Sequence, residues 1–117
     1  MYEAAGPFVN ADIAATTLNL TLRELDDLRE AGRVLAALTQ DGAWLFPTWQ
    51  FTAGSVLPAF MHVLEAWAGV DGWVVAVWLS EPHAGLQGRT PRAALFVDEA
   101  SVVARIAMND RAALTGP

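Results

Sequence analysis

The chain has 117 residues, 54% of them apolar, which is enough for one small domain with a filled core. It contains no Cys, which excludes disulfides and thiolate zinc sites. Its net charge of −6 argues against non-specific binding of nucleic acid by the whole surface. No window is long and apolar enough to span a membrane, and the first residues lack the basic start of a signal peptide, so we expect a cytoplasmic protein.

The first 31 residues predict an arm followed by two short helices. Residues 1–8 are expected to form a frayed arm. A helix is predicted over 11–18 and a second one over 22–31, whose start is marked by Thr21 and Glu24 at the spacing of a capping box. Because only about three residues separate the two helices, they are a candidate helix-turn-helix.

A β-hairpin is predicted directly after these helices. Residues 33–38 have the pattern of a strand, Asp41-Gly42 is a hairpin turn signal, and residues 43–46 have the pattern of the return strand. A helix-turn-helix followed by a hairpin is the arrangement of a small winged helix unit, which we predict over residues 1–51.

The second half of the chain predicts a helical domain over residues 52–117. The predicted helices cover residues 55–68, 72–79, 91–97 and 98–113. Their expected N-caps are Ser55, Asp71, Thr90 and Asp98. In the last helix Val102, Ile106 and Ala113 are predicted to face the core. The fold class is therefore mainly α with a small β-hairpin, in which a winged helix-turn-helix unit precedes a helical domain.

All five Trp residues lie between Trp44 and Trp78. Exposed rings of this kind can stack on bases or sugars, but Trp more often fills a core, and here several of the rings alternate with aliphatic residues. We therefore expect core packing, with one or two rings at a subunit interface. Gln50 is a candidate acceptor for one of the indole N–H groups.

Residues that could carry covalent or metal chemistry are few. His62 and Glu65 stand three apart on a predicted helix, but zinc needs three or four protein ligands and no third one follows at a matching spacing. The acidic residues between Glu24 and Glu30 are expected to form a solvated face. No Ser or Thr has a nearby His with an orienting acid, so we expect no enzyme, no metal and no cofactor.

Two blocks between residues 45 and 91 carry a family resemblance. The first block is Leu45-Phe46-Pro47-Thr48-Trp49-Gln50-Phe51, which follows the predicted hairpin turn. The second block consists of Trp78-Leu79, Pro82 and Leu86-Gln87-Gly88-Arg89-Thr90-Pro91, ahead of a short helix and a final helix. Over roughly residues 45–107 the chain resembles the Xre/MbcA/ParS type of antitoxin, the partners of RES-domain toxins.

The resemblance implies a toxin-binding domain that is all-α, a homodimer, and a cognate RES-like toxin that consumes NAD. The last helix and tail, residues 102–117, correspond to the part that covers the active-site entrance of the toxin. The residues that the resemblance assigns to toxin binding are Arg105, Met108, Asn109 and Arg111. The turn residues Leu86, Gly88, Thr90 and Pro91 are carried over as a structural element.

The N-terminal unit departs from that family and is nearer in pattern to excisionase-like DNA binders with a shortened winged helix-turn-helix. Its candidate DNA contacts are Thr21, Arg23, Arg29 and Arg33. The helix over 22–31 carries four acids against two Arg, and phosphates repel carboxylates, so its acids must point away from a bound duplex.

The leading hypothesis is a non-enzymatic antitoxin-like protein that binds and sterically inhibits a cognate toxin, and that also binds operator DNA. Two alternatives stay open. One is a DNA-binding transcriptional regulator that uses the same winged unit, and the other is a stand-alone oligomerisation or interaction module without DNA binding. Neither alternative requires a membrane.

Overall fold

A three-stranded antiparallel sheet forms the centre of the N-terminal half. The computed structural model describes residues 6–52, 54–95 and 99–115, with side chains up to residue 113. The strands are β1 (Phe8–Asn10), β2 (Ala37–Leu38) and β3 (Trp44–Pro47), and they lie in the order β1-β3-β2. The expectation of a frayed arm over residues 1–8 is wrong at Phe8, which pairs with Pro47 because β3 offers a free edge. Residues 1–5 of that arm lie outside the described part.

Two helices of the N-terminal half agree with the prediction. Helix α1 spans Ala11–Leu18 and helix α2 spans Leu22–Glu30. The predicted capping box is present, because the Thr21 side chain accepts the Glu24 N–H at 3.1 Å and the Glu24 carboxylate accepts the Thr21 N–H at 2.9 Å. The two helices share a core with Phe46 of the sheet.

The strand predicted over residues 33–38 is mostly wrong, since only Ala37–Leu38 pairs with β3. In the segment before it, the backbone of Leu35 is hydrogen-bonded to a side chain and not to a neighbouring strand. The Gln50 side-chain amide, which is fully buried, donates to the Leu35 carbonyl and accepts the Leu35 N–H, both at 2.8 Å. This residue also donates to the Pro47 carbonyl at 3.1 Å. Gln50 is therefore not the acceptor for an indole N–H that we expected.

The second half contains a small hairpin, four α-helices and a short 3₁₀ helix (Ala84–Leu86) within the described ranges. The strands and α-helices are β4 (Phe51–Thr52), β5 (Ser55–Val56), α3 (Phe60–Ala66), α4 (Gly72–Ser80), α5 (Pro91–Leu95) and α6 (Ala100–Thr115). The helix predicted from residue 55 begins only at Phe60. Gly54 has φ +81° and turns the chain so that Ser55 pairs with Thr52, which converts the expected cap into a strand. This hairpin crosses the predicted domain boundary at residues 51 and 52.

The inner face of α6 differs from the prediction at one position. Val103 and Ala107 are fully buried, and Val102 and Ile106 pack beside them against the core. Ala113 is exposed, which makes its predicted burial wrong. It lies on the same side of the helix as Val102 and Ile106, but about two turns beyond Ile106, near the C-terminal end of α6. The predicted cap Asp98 and the predicted end of α5 at residues 96 and 97 lie outside the described residues.

Helix α4 covers the sheet and joins the two halves. Its predicted cap is confirmed, because the Asp71 carboxylate accepts the Trp73 N–H at 2.8 Å. The Trp73 indole N–H donates to the Leu38 carbonyl at 2.7 Å, and its ring centroid lies 5.3 Å from that of Phe8. Val74 is 42% exposed, so this helix is not surrounded by protein on every side. None of the helices in the described ranges has the length and apolarity that crossing a bilayer requires.

Candidate functional site

The outer face of α2 is exposed along nearly its whole length. Leu25 is the buried residue of this helix, whereas Leu22 is 53% exposed. Both ends of the helix are satisfied locally, at the start by the capping box and at the end by Gly32, which has φ +72°. The following residue, Arg33, donates its N–H to the Leu28 carbonyl at 2.9 Å, which completes a Schellman motif. The helix is therefore held without burying its outer face.

A tight hairpin turn joins β2 to β3, as the Asp41-Gly42 pair predicts. The Thr39 N–H donates to the Ala43 carbonyl at 2.8 Å, and Gly42 adopts φ +87°, which a residue with a side chain rarely tolerates. The Thr39 hydroxyl donates to the Asp41 carboxylate, and this hydrogen bond lowers the pKa of that carboxyl. The turn is thus fixed by its own residues.

Three of the four predicted DNA contacts are exposed, and the fourth is half-buried. Arg23 and Arg33 are exposed and lie near opposite ends of α2, and no acid of the described residues pairs with either. Thr21 is exposed at the start of the helix, where its side-chain oxygen serves the capping box. Arg29 is half-buried and its guanidinium lies over the ring of Trp44, 4.1 Å from the centroid.

The acids of α2 are partly engaged within the protein. Glu24 is held by the capping box, and Asp26 accepts two hydrogen bonds from the Arg29 guanidinium, at 3.1 and 2.5 Å. Asp27 and Glu30 remain exposed on the helix. The local field of α2 is consequently less negative than four free carboxylates would make it.

The predicted toxin-binding residues lie on or near a groove between α3 and α6. The groove has a volume of about 1150 Å³, and its floor is made of small side chains such as Ala104. Arg105 and Met108 line the groove and are exposed, Met108 by 63%. Arg111 also lines it, but its guanidinium donates to the Ala66 carbonyl at the end of α3, at 2.9 Å. Asn109 is exposed and does not line the groove.

A polar cluster that the sequence did not predict anchors α6 to the preceding turn. The Asp110 carboxylate oxygen Oδ2 accepts the Trp78 indole N–H at 2.7 Å and lies 2.8 Å from Nε2 of His83. Nδ1 of His83 accepts the Gly85 N–H at 2.9 Å, so the hydrogen-bond network assigns the ring proton to Nε2, which donates to Asp110. The sequence signal was a lone acid one turn after Ala107 on the inner stripe of the helix.

The turn before α5 is confirmed by its backbone. Leu86 is buried, and Gly88 has φ +81° while its N–H donates to the His83 carbonyl at 3.0 Å. Thr90 accepts the Ala93 N–H at 3.2 Å, and Pro91 follows as the first residue of the helix.

The Trp residues contribute unequally to the core. Trp67 is 4% exposed and belongs to the main hydrophobic cluster, whereas the other four rings are half-buried. The Trp67 indole N–H has no hydrogen-bond partner among the described residues. His62 and Glu65 are exposed on α3, and no three His, Cys, Asp or Glu side chains of the described ranges converge as metal ligands would.

Comparison with known proteins bears on the fold. No protein-family model matches the chain, and no curated protein matches it. Among solved structures, the chain is similar to the NMR structure of Rv2175c, with a TM-score of 0.71 and 20% sequence identity. The alignment covers 90% of this chain and 81% of that one. At this identity the similarity concerns the fold alone, in which helices predominate beside a small antiparallel sheet.

Proposed function

We propose that this chain binds duplex DNA through α2 and the β2–β3 hairpin, and acts as a small DNA-binding regulator. The observation that carries the proposal is the exposed face of α2, which is stabilised at both ends by its own caps and stands beside a tight hairpin. A helix that merely completes a core buries a wider stripe than Leu25 and part of Leu28. In helix-turn-helix proteins the second helix lies in the major groove, and its first residues contact the base edges.

The contacts assigned to DNA are few. Arg23 and Arg33 are the exposed cations nearest to the ends of α2, and Leu22 offers an apolar contact of the kind that the thymine methyl group accepts. Two phosphate contacts correspond to a slope of roughly −2 in a plot of log K against log salt concentration. Binding of this kind depends weakly on salt, in keeping with the net charge of −6.

The test is the affinity of the full chain for a fluorescent mixed-sequence duplex of about 30 base pairs, measured by anisotropy across a salt series at up to roughly 100 μM protein. Arg23→Ala should weaken binding and reduce the salt slope by about 0.9, since it removes one phosphate contact. Arg105→Ala on α6 is the matched control, because it changes the net charge equally at an exposed site elsewhere, and it should bind as the parent does. A parent chain that binds no duplex at low salt overturns the proposal, and so does an equal loss in both variants.

A second candidate function is the binding of a partner protein in the groove between α3 and α6. The observation that favours it is the combination of an exposed Met108, a cationic Arg105 and a floor of small side chains, which allows close approach of another chain. By the resemblance to antitoxins, the partner is a RES-like toxin that this chain blocks sterically. The Arg111 side chain takes part in holding α3 and is less available to such a partner than Arg105.

This candidate is tested by co-expression with the product of the adjacent reading frame. The two proteins should co-purify, and Ala104→Glu, which fills the groove floor with a charged side chain, should abolish the complex. Ala93→Glu introduces the same change at an exposed position of α5 outside the groove and should leave the complex intact. Loss of the complex in both variants, or no complex in the parent, contradicts the groove as the binding surface.

A further inference from the structure

Arg29 makes its contacts inside the N-terminal unit. Its Nε and Nη2 both point at one oxygen of Asp26, at 3.1 and 2.5 Å, and Nη2 lies 3.8 Å from Glu30. The guanidinium carbon Cζ lies over the ring of Trp44, a residue of β3, at 4.1 Å from the ring centroid. The residue therefore connects two elements, α2 and the hairpin, that the proposed function uses together.

Because of these contacts, the Arg29 guanidinium is poorly accessible to a DNA phosphate. Its side chain is 19% exposed, against 53% for Asp26 and 65% for Glu30. A phosphate approaching this guanidinium would also meet the two carboxylates, which repel it. Arg23, on the first turn of the same helix, is exposed and has no such acidic partner among the described residues.

We propose that Arg29 is a positioning residue, and that it fixes the β2–β3 hairpin against α2 so that the hairpin and the exposed face of α2 meet the same duplex. This inference rests on the proposed DNA binding and assigns Arg29 a role other than phosphate contact. The cation–π contact with Trp44 sets the distance between the helix and β3, and the hydrogen bonds to the Asp26 carboxylate hold the guanidinium in place.

Replacing Arg29 by Lys can show whether Arg29 contacts a phosphate or positions the hairpin, because the two roles need different properties of the side chain. A planar guanidinium can stack on an indole and donate from two nitrogens to one carboxylate, whereas a lysine ammonium is a point charge without that fork. A phosphate contact would survive Arg29→Lys because the charge is retained. A positioning contact would be weakened in Arg29→Lys, and also in Trp44→Leu, which keeps the charge and removes the ring.

The experiment measures duplex affinity across a salt series for Arg29→Lys, Arg29→Ala, Trp44→Leu and the double variant Arg29→Lys/Trp44→Leu. All measurements are made well below the melting temperature of each variant, with circular dichroism to show that all are folded. Each single variant should bind about five-fold more weakly than the parent at every salt concentration, with an unchanged salt slope. The double variant should be no weaker than either single variant, because both remove one contact. Arg23→Ala serves as the contrast, since its slope should fall by about 0.9.

The outcomes separate the two proposals. A parent chain that binds no duplex at low salt overturns the DNA-binding function and the role of Arg29 with it. A parent that binds, together with an Arg29→Lys variant of equal affinity, overturns the positioning role alone. The same conclusion follows if Arg29→Ala lowers the salt slope by about 0.9, which would make Arg29 a phosphate contact.

Discussion

Gln50 ties two segments of the N-terminal half together through hydrogen bonds of its side chain. It is fully buried, and its side-chain amide gives Leu35 both of the hydrogen bonds that a neighbouring strand would otherwise supply. A buried backbone group without a partner costs about 1–3 kcal/mol, so the amide compensates two such groups at once. Its third hydrogen bond, to the Pro47 carbonyl, ties the end of β3 to the same point.

Gln50→Leu should lower the free energy of unfolding by about 3 kcal/mol, because a side chain of similar volume leaves the Leu35 N–H and carbonyl unsatisfied. Urea denaturation followed by circular dichroism measures the change. Gln40→Leu, at an exposed position of the hairpin, should stay within about 0.5 kcal/mol of the parent. If Gln50→Leu were as stable as Gln40→Leu, the buried amide would not carry the structure of this segment.

Among the secondary-structure elements, the short helices α1 and α2 are capped at both ends. Helices α1 and α2 have eight and nine residues, too short to persist in water on propensity alone. Each begins at a side-chain cap and ends at a residue with positive φ, Asn19 after α1 and Gly32 after α2. This arrangement lets α2 expose the face that we assign to DNA.

The start of helix α4 lies in close contact with the backbone of Ala36 and Ala37, at the beginning of β2. A Cβ at Gly72 would lie 1.9 Å from the Ala36 carbonyl oxygen and 3.2 Å from the Ala37 Cα, both backbone atoms that cannot rotate away. Gly72→Ala should therefore destabilise the fold by about 2 kcal/mol, although Ala is the better helix former. Chemical denaturation of this variant beside Val74→Ala, at an exposed site of the same helix, provides the measurement. An equal or higher stability of Gly72→Ala would show that α4 lies farther from β2.

On the scale of the whole molecule, the two predicted units form one compact body. The radius of gyration is 13.7 Å, close to the value of about 13.4 Å that a globular chain of this length has. The sheet lies between α1 and α2 on one face and α4 on the other, with Phe8 and Leu35 packed into the main core of the second half. The N-terminal half therefore owes part of its stability to the second half.

Features that depend only on neighbouring residues could be predicted from the order of the amino acids. The capping box at Thr21, the hairpin turn at Asp41-Gly42, the cap at Asp71 and the turn around Gly88 follow from spacing alone, because each is a local hydrogen bond or a local backbone angle. The same is true of α1 and α2, whose bounds the pattern gave within one residue.

The contacts between groups far apart in the chain could not be predicted in this way. The pairing of Phe8 with Pro47, the substitution of Gln50 for a strand partner and the joining of Trp78 and His83 at Asp110 all link residues far apart in the chain. One such contact is that of Arg29 with Trp44, which leaves one of the three arginines among the candidate DNA contacts half-buried. Such pairings depend on how buried surfaces fit and on which polar groups need partners once water is excluded, and residue spacing does not record either.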